Sequence, residues 1–426
     1  MGLGSEMKKV LLVTAFFPPY MNVATSRVIK FLKYLPSLGW QAVVLCPDSD
    51  KEHSEASRNA LLQLGEDVRI VRSGRDLFNE LVDRRGGSGW ASLVSRVMNN
   101  IIPPDGHLYW ALSCLPRLGR IIEVEQPDLV FTTCNPYSLN LVGAWVKHRY
   151  QLPWVTDFRD LWTMNQQPKR FLNSYHQAGG RVLEDFFMKR CDHVVVTTEN
   201  SAKRLVAKYP FLKGRVSNIP NGYDPEDVKG LGEISRQPHS FFYSGSIVAN
   251  TGYNPLPLLR VAARALSRLA DSQQVFFHYA GPDGDTFGDL LREAQMPGEY
   301  ISHGYLSHES LYRLIQEMEH VLMCLPPDVD CTSWIPSRFY DYIGNRAGII
   351  CLAPGNSEVL GLLGPYGNGL NLHYGEDEEG QVVKLTEYLK SDTVSRADCG
   401  DFIEGFSRQA LTGRLAEVFM QTVASG

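Results

Sequence analysis

Short β-rich runs alternate with helix-length amphipathic segments along the whole chain, and this rhythm limits the folds open to it. Residues 9–14 (KVLLVT) have the composition of a buried strand. Behind them Val28, Phe31, Leu32 and Leu35 fall at i, i+3, i+4 and i+7, one face of a helix that Gly39 stops. Strand signals recur at 41–46, 129–133, 153–157, 193–197 and 216–219. Such alternation builds βαβ units and hence a parallel sheet covered on both faces. The turn cluster Asn221-Gly222-Tyr223-Asp224-Pro225 leads into a polar, non-periodic linker over 226–240. A second series follows at 241–244, 274–280, 301–303, 321–325 and 348–352. The predicted architecture is α/β: two doubly wound domains, 1–222 and 223–400, facing each other across a cleft, closed by a helix within 401–426. Ligands of such sheets bind at the carboxyl ends of the strands.

The 426 residues are enough for two or three domains with ample cores. The formal net charge of -5 argues against nucleic-acid binding through overall positive charge. That average hides a division: residues 1–225 hold 28 Lys+Arg against 21 Asp+Glu, the remainder 14 against 26. No apolar run approaches the ~20 residues of a membrane span. Met1 to Glu6 lacks a signal-peptide pattern, so a cytoplasmic chain is expected. The eight cysteines show no Cys-x-x-Cys spacing and read as reduced, mostly buried thiols rather than a zinc site or disulfide framework.

Four loops after strands hold chemistry-bearing residues. After 9–14, Phe16-Phe17-Pro18-Pro19 leads to Thr25, Ser26 and Arg27 at a helix start, where hydroxyls and free N–H groups suit an anion. A cation in the first turn is mildly disfavoured by the helix dipole, so Arg27 points to an anionic partner. After 153–156, Asp157 and Asp160 flank Arg159; one carboxylate is placed to take a proton from a hydroxyl, and the alternative is a structural ion pair. Tyr243-Ser244-Gly245-Ser246 ends a strand with a glycine that lets backbone approach a phosphate, and Gly281 and Gly304, with Tyr305 next to it, repeat the arrangement. Pro336-Ser337-Arg338-Phe339-Tyr340-Asp341-Tyr342 reads as a helix start. There Arg338 and Asp341 share a face by the i, i+3 rule, an arginine for a diphosphate and a carboxylate for a ribose diol. His107 beside Tyr109 and Trp110 is an acceptor-site candidate or a packed core histidine. Gly2-Leu3-Gly4 precedes its strand and is no dinucleotide fingerprint, and no G-x-x-x-x-G-K-[ST] loop occurs.

Taken in order, Phe17-Pro18-Pro19 with Arg27, Trp154 through Trp162, Ile219 through Asp224, Tyr243 through Ser246 and Pro336 through Tyr342 resemble glycosyltransferase family 4 and its relatives of the GT-B fold. The resemblance covers nearly the whole length. It implies two Rossmann-like domains, the first binding an acceptor and the second a UDP- or GDP-linked sugar, with metal-independent, retaining transfer and no cofactor beyond the donor substrate. It implies a donor set of Gly245, Ser246, Gly281, Tyr305, Ser337, Arg338 and Asp341, an acceptor set of Arg27, His107 and Arg159, and chemistry at Asp157, Asp160 and Arg338. Family members usually carry Lys where Arg338 stands and Glu where Asp341 stands. The glycine pair common after Pro-Pro is replaced by Asn22-Val23, and the earlier glutamate of the Glu-x7-Glu pattern falls on Ser333. The Arg and Lys frequent after the Gly245 strand are missing from Ile247 to Pro255, so diphosphate neutralisation rests on Arg338.

Residues 73–106 form an insertion whose apolar Leu77, Phe78, Leu81, Leu93, Val97 and Ile101 alternate with Arg75, Arg84, Arg85 and Arg96. This pattern fits peripheral contact with the inner face of an anionic membrane and a carbohydrate or lipid-linked acceptor from surface-polysaccharide biosynthesis; a helix packed on the sheet is the alternative. Two competing readings of the chain are a nucleotide-sugar epimerase and a catalytically silent partner subunit of the same fold.

Overall fold

The structure, a computed structural model, describes residues 7–83, 103–164, 174–228, 235–247, 254–269, 274–327, 330–391 and 399–425. Contacts divide the chain into one unit of residues 1–220 with 408–426 and a second of 221–407. The sequence pattern places the joins at 222/223 and 400/401, and assigns the last segment to neither domain.

The first unit holds seven strands: β1 (Lys8–Val13), β2 (Trp40–Asp48), β3 (Val68–Arg75), β4 (Leu129–Cys134), β5 (Trp154–Phe158), β6 (His193–Val196) and β7 (Val216–Asn218). They form one parallel sheet in the order β3-β2-β1-β4-β5-β6-β7. Every residue of β4 and β5 is buried, as a central strand covered by helices on both faces requires. The helix Val23–Tyr34 starts where Asn22 accepts the Thr25 amide at 2.9 Å and turns Val28, Phe31 and Leu32 inward. Strand order reverses between β1 and β4, and the loops that follow those strands flank this switch point.

The second unit holds β8 (Gln237–Ser244), β9 (Phe276–Ala280), β10 (Glu299–Ser302), β11 (Met318–Cys324), β12 (Gly348–Ala353) and β13 (Gly369–His373), all parallel, in the order β10-β9-β8-β11-β12-β13. Its switch point lies between β8 and β11. Both units are thus doubly wound.

Two strands, β3 and β13, were not predicted. β3 (VRIVRSGR) lies at the sheet edge with five polar or glycine positions and one buried residue, so it lacks the apolar run of a central strand. β13 is likewise an edge strand with one buried residue. The predicted linker 226–240 overlaps two elements: Pro225–Val228 is a helical turn and β8 begins at Gln237. The closing segment is two helices, Gly400–Glu404 and Arg408–Ser425. The longer belongs to the first unit because Phe419 packs edge-on against Trp40 (5.3 Å) and Phe131 (5.2 Å). With that helix counted where it packs, the first unit holds 30 Lys+Arg against 21 Asp+Glu and the second 12 against 26. All eight cysteines are free and buried.

Candidate functional site

The two arginines singled out in the sequence meet opposite surroundings, one in each unit. Arg27, with none of its surface exposed, points under the sheet edge to Asp157, itself 1% exposed. Its Nε donates to Asp157 Oδ2 at 3.1 Å and its Nη2 to Oδ1 at 3.0 Å, a two-pronged ion pair. Thr133 Oγ1 adds a third bond to Oδ2 at 3.0 Å. The other guanidinium hydrogens go to the carbonyls of Pro220 and Ile219, both at 2.8 Å, and the group lies over the Phe31 ring. The anionic partner that Arg27 calls for is therefore an internal carboxylate.

Asp157 is expected from the sequence to take a proton from an acceptor and Arg27 to bind one; in the structure both are enclosed. A base must reach the hydroxyl it serves, and Asp157 is surrounded by its own donors. Thr25 is also committed: its amide caps on Asn22 and its hydroxyl donates to the Tyr20 carbonyl at 2.7 Å. Arg159 clamps the loop after β4, donating from Nε to Cys134 O at 3.1 Å and from Nη2 to Asn135 O. Burial lowers its pKa, with Asp157 and Asp160 opposing. Asp160 is half-buried, and its carbonyl accepts from Tyr137 at 3.0 Å.

His107 stands at the same sheet edge, 5% exposed, between the rings of Phe78 (4.6 Å) and Phe16 (5.6 Å). Its Nδ1 lies 2.6 Å from Asp76 Oδ2. Asp105 accepts the His107 amide at 3.1 Å through one oxygen and those of Tyr137 (2.6 Å) and Ser138 (3.1 Å) through the other. Neither carboxylate was singled out in the sequence. Asp76 directly follows the unpredicted edge strand, whereas Asp105 had a readable signal in Pro103-Pro104-Asp105-Gly106, a turn directly before the histidine. Of the membrane-facing pattern, residues 84–102, which include Arg84, Arg85, Leu93, Arg96, Val97 and Ile101, lie outside the described residues.

In the second unit the predicted donor residues gather in part. Arg338, in the first turn of the helix Ser337–Gly344, sends Nη1 back to the carbonyl of Ser244 at the end of β8 and lies 5.3 Å from the Tyr243 ring. Gly245 has φ +108°, and a Cβ there would sit 2.8 Å from Arg338 Nη1, so glycine is required twice over. Gly281 faces the Gly245 carbonyl, which a Cβ would approach to 2.7 Å, and Tyr279 bonds that same carbonyl at 2.8 Å. The two glycines do not offer their amides: Gly245 donates to Ala280 O (3.0 Å) and Gly281 to Gly304 O (2.9 Å). Both glycines let the backbone and Arg338 pack closely. Ser246 and Ser337 are exposed, and Tyr305 is 85% exposed. Asp341 accepts from the buried Tyr312 hydroxyl at 2.6 Å.

Arg338 differs from Arg27 in lacking a counter-ion. Its Nε is sealed from solvent without a partner, and among the described residues no carboxylate pairs with it. A charge held this way is costly until an anion meets it.

Comparison with known proteins agrees with the architecture. Residues 24–227 match the model of Glycosyltransferase Family 4. An uncharacterized glycosyltransferase of Methanocaldococcus jannaschii is 20% identical over 34% of the chain and 37% of its own length. A GDP-mannose-dependent alpha-mannosyltransferase of Mycobacterium tuberculosis is 24% identical over 34% of the chain and 39% of its own length. The chain thus spans less than two fifths of the curated relatives it matches. The crystal structure of a glycosyltransferase from Rickettsia africae superposes with a TM-score of 0.61 over 99% of this chain and 100% of that one, at 12% identity. Residues 24–227 thus resemble glycosyltransferase family 4, and the two doubly wound parallel sheets have the GT-B fold.

Proposed function

We propose that the chain transfers a hexose from a UDP- or GDP-linked sugar to a hydroxyl acceptor, with retention and without a metal ion. The observation that carries this reading is Arg338: a cation at the switch point of the second sheet, beside a glycine that holds the backbone close, with no carboxylate among the described residues to balance it. A nucleoside diphosphate supplies the missing charge. As the sugar–phosphate bond breaks, negative charge grows on the leaving diphosphate, and a fixed guanidinium at a helix N-terminus stabilises it more in the transition state than before. Asp341, anchored by Tyr312, is one turn further on for the ribose hydroxyls, and exposed Tyr305 for the base. A GDP-linked donor is favoured by the name of the mycobacterial relative.

For the acceptor, the net positive first unit favours a phosphorylated or lipid-linked molecule met at the inner face of a membrane. Exposed Tyr175 and Val182, on the helix Ser174–Met188 with Arg181, Lys189 and Arg190 exposed near them, support peripheral contact. Among the described residues no helix is long and apolar enough to cross a membrane.

A second reading, a silent partner subunit, is favoured by the committed amides of Gly245 and Gly281. Calorimetry with UDP, GDP and their sugars separates the two. Binding of one nucleotide sugar by the wild type, weakened at least about tenfold in Arg338→Gln, is the expected result. Equal binding by both proteins would refute the role of Arg338, and no binding at all would leave the silent subunit. Turnover of a donor sugar in the absence of any acceptor would favour the epimerase.

A further inference from the structure

The loop after β8 is tied down by four side chains, and two of them, Tyr279 and Asp283, have no role in any step described so far. Ser244, at the strand end, has its carbonyl held by Arg338 and its hydroxyl 2.8 Å from that of Tyr342. The next carbonyl, of Gly245, accepts from Tyr279 Oη at 2.8 Å. Two residues on, the Ile247 amide donates to Asp283 Oδ2 at 2.8 Å. Tyr279 lies on the neighbouring strand β9 and Asp283 in the loop that follows it. The two are also joined to each other, since the Asp283 amide donates to Tyr279 Oη at 3.1 Å. All of these groups belong to the second unit.

Neither residue makes the bonds that its own local structure would ask of it. Asp283 stands at the N-cap of the helix Gly284–Glu293, where an aspartate ordinarily accepts from an amide of its own first turn. It makes no such cap bond, and its carboxylate reaches to residue 247 instead. Tyr279 is fully buried, with its ring stacked on Phe287 at 5.0 Å and on Tyr243 at 6.4 Å. Its hydroxyl spends both a donor and an acceptor position on loop backbone. Gly281 belongs to the same device: a Cβ there would lie 2.4 Å from Tyr279 Oη and 2.7 Å from the Gly245 carbonyl, across their bond. The Gly245 amide is given to Ala280 O at 3.0 Å, so the backbone on both sides of Ser246 is held. Ser246 itself is exposed, and among the described residues neither its amide nor its hydroxyl has a partner. It follows directly on the glycine that sits beside Arg338 Nη1. Donors held in place by their neighbours need little reorganisation when an anion arrives.

We propose that Tyr279 and Asp283 are positioning residues for the diphosphate of the nucleotide. They hold the loop so that Ser246, through its amide and hydroxyl, meets the same anion as Arg338. This rests on the donor reading above and extends it to two residues that act through the loop. It also gives the committed amides of Gly245 and Gly281 a purpose, since those bonds fix the frame in which Ser246 is left to donate.

The test uses the full chain in titration calorimetry with GDP and UDP as probes, below the melting transition of each variant. Tyr279→Phe removes the hydroxyl and keeps the ring stack; it is expected to weaken nucleotide binding by about three- to tenfold, as the loss of one or two hydrogen bonds implies. Asp283→Ala is expected to do the same. Asp283→Asn again offers an oxygen to the Ile247 amide and is expected to recover affinity to within about twofold of wild type. Loss in Ala with rescue in Asn, read on folded protein, is a pattern that a merely stabilising role would not produce. An Asp283→Ala protein that binds more tightly than wild type would show a carboxylate acting by repulsion and overturn its assignment. Tyr279→Phe and Asp283→Ala proteins that both bind within about 1.5-fold of wild type overturn the positioning and leave the donor reading intact. A wild type that binds neither GDP nor UDP overturns both. The amide resonance of Ser246 in the wild type decides without any variant: a downfield proton shift on nucleotide binding is expected, and an unmoved resonance overturns the assignment.

Discussion

Replacing Asp157 by Asn tests whether the Arg27–Asp157 pair is structural. The carboxylate accepts three bonds, two from Arg27 and one from Thr133, within a site where neither charged group is more than 1% exposed. Asn keeps the shape but has one acceptor oxygen; its NH₂ must face a donor, either Arg27 or Thr133. Arg27 then keeps only the carbonyls of Ile219 and Pro220, and its charge is no longer balanced. Breaking a buried pair from one side costs about 3–5 kcal/mol. For a unit of this size, at about 2–4 °C per kcal/mol, the melting transition of the first unit should fall by about 6–20 °C. Scanning calorimetry reads this directly, and the transition of the second unit should stay in place. Arg27→Met combined with Asp157→Leu, which removes both charges, should recover most of the loss, since well-packed apolar replacements of buried pairs are often neutral or better. A fall below about 2 °C for the single variant, or no recovery in the double one, would refute the structural account. The same variant separates support from chemistry: at a temperature where it stays folded, kcat should remain within threefold of wild type. A folded Asp157→Asn protein that has lost about 10²-fold or more in kcat would return the carboxylate to the reaction.

Two further outcomes follow from the second unit. Gly245→Ala places a Cβ at a φ of +108° and 2.8 Å from Arg338 Nη1, so it should destabilise that unit by about 1–3 kcal/mol and weaken nucleoside diphosphate binding by displacing the guanidinium, measured by chemical unfolding and calorimetry. Burial, aided by Arg236, lowers the pKa of His320 to about 3, and burial with His303 nearby lowers that of His278 to about 4. Both are depressed below the unfolded value of about 6.5, so the unfolded chain binds these protons first. Their neutral forms should support the fold fully above pH ~6.5, and stability should fall as pH drops toward 4. Unfolding midpoints in urea across that window should fall less steeply in His320→Gln; an unchanged slope would refute the assignment.

The sequence alone determined the architecture because a parallel sheet covered on both faces demands its pattern locally. Each central strand is a short apolar run, and each crossover helix carries its own apolar face, as in residues 10–13 and at Val28, Phe31 and Leu32. The edge strands β3 and β13 escaped notice for the same reason, since an edge needs little burial and carries little signal. The helix start that carries Arg338 was also legible, from Pro336 directly before it. What each charged residue does was decided by partners far away in sequence. Arg27 and Asp157 are 130 residues apart, and only folding shows that they consume one another. Asp76 and His107 are 31 apart, joined across the turn of an unpredicted strand. Arg338 stands out for the converse reason. An ion pair is a statement about two positions at once, and so is the lack of one among the described residues; sequence spacing reports the residue types that are available, while burial and distance decide which charges are already matched.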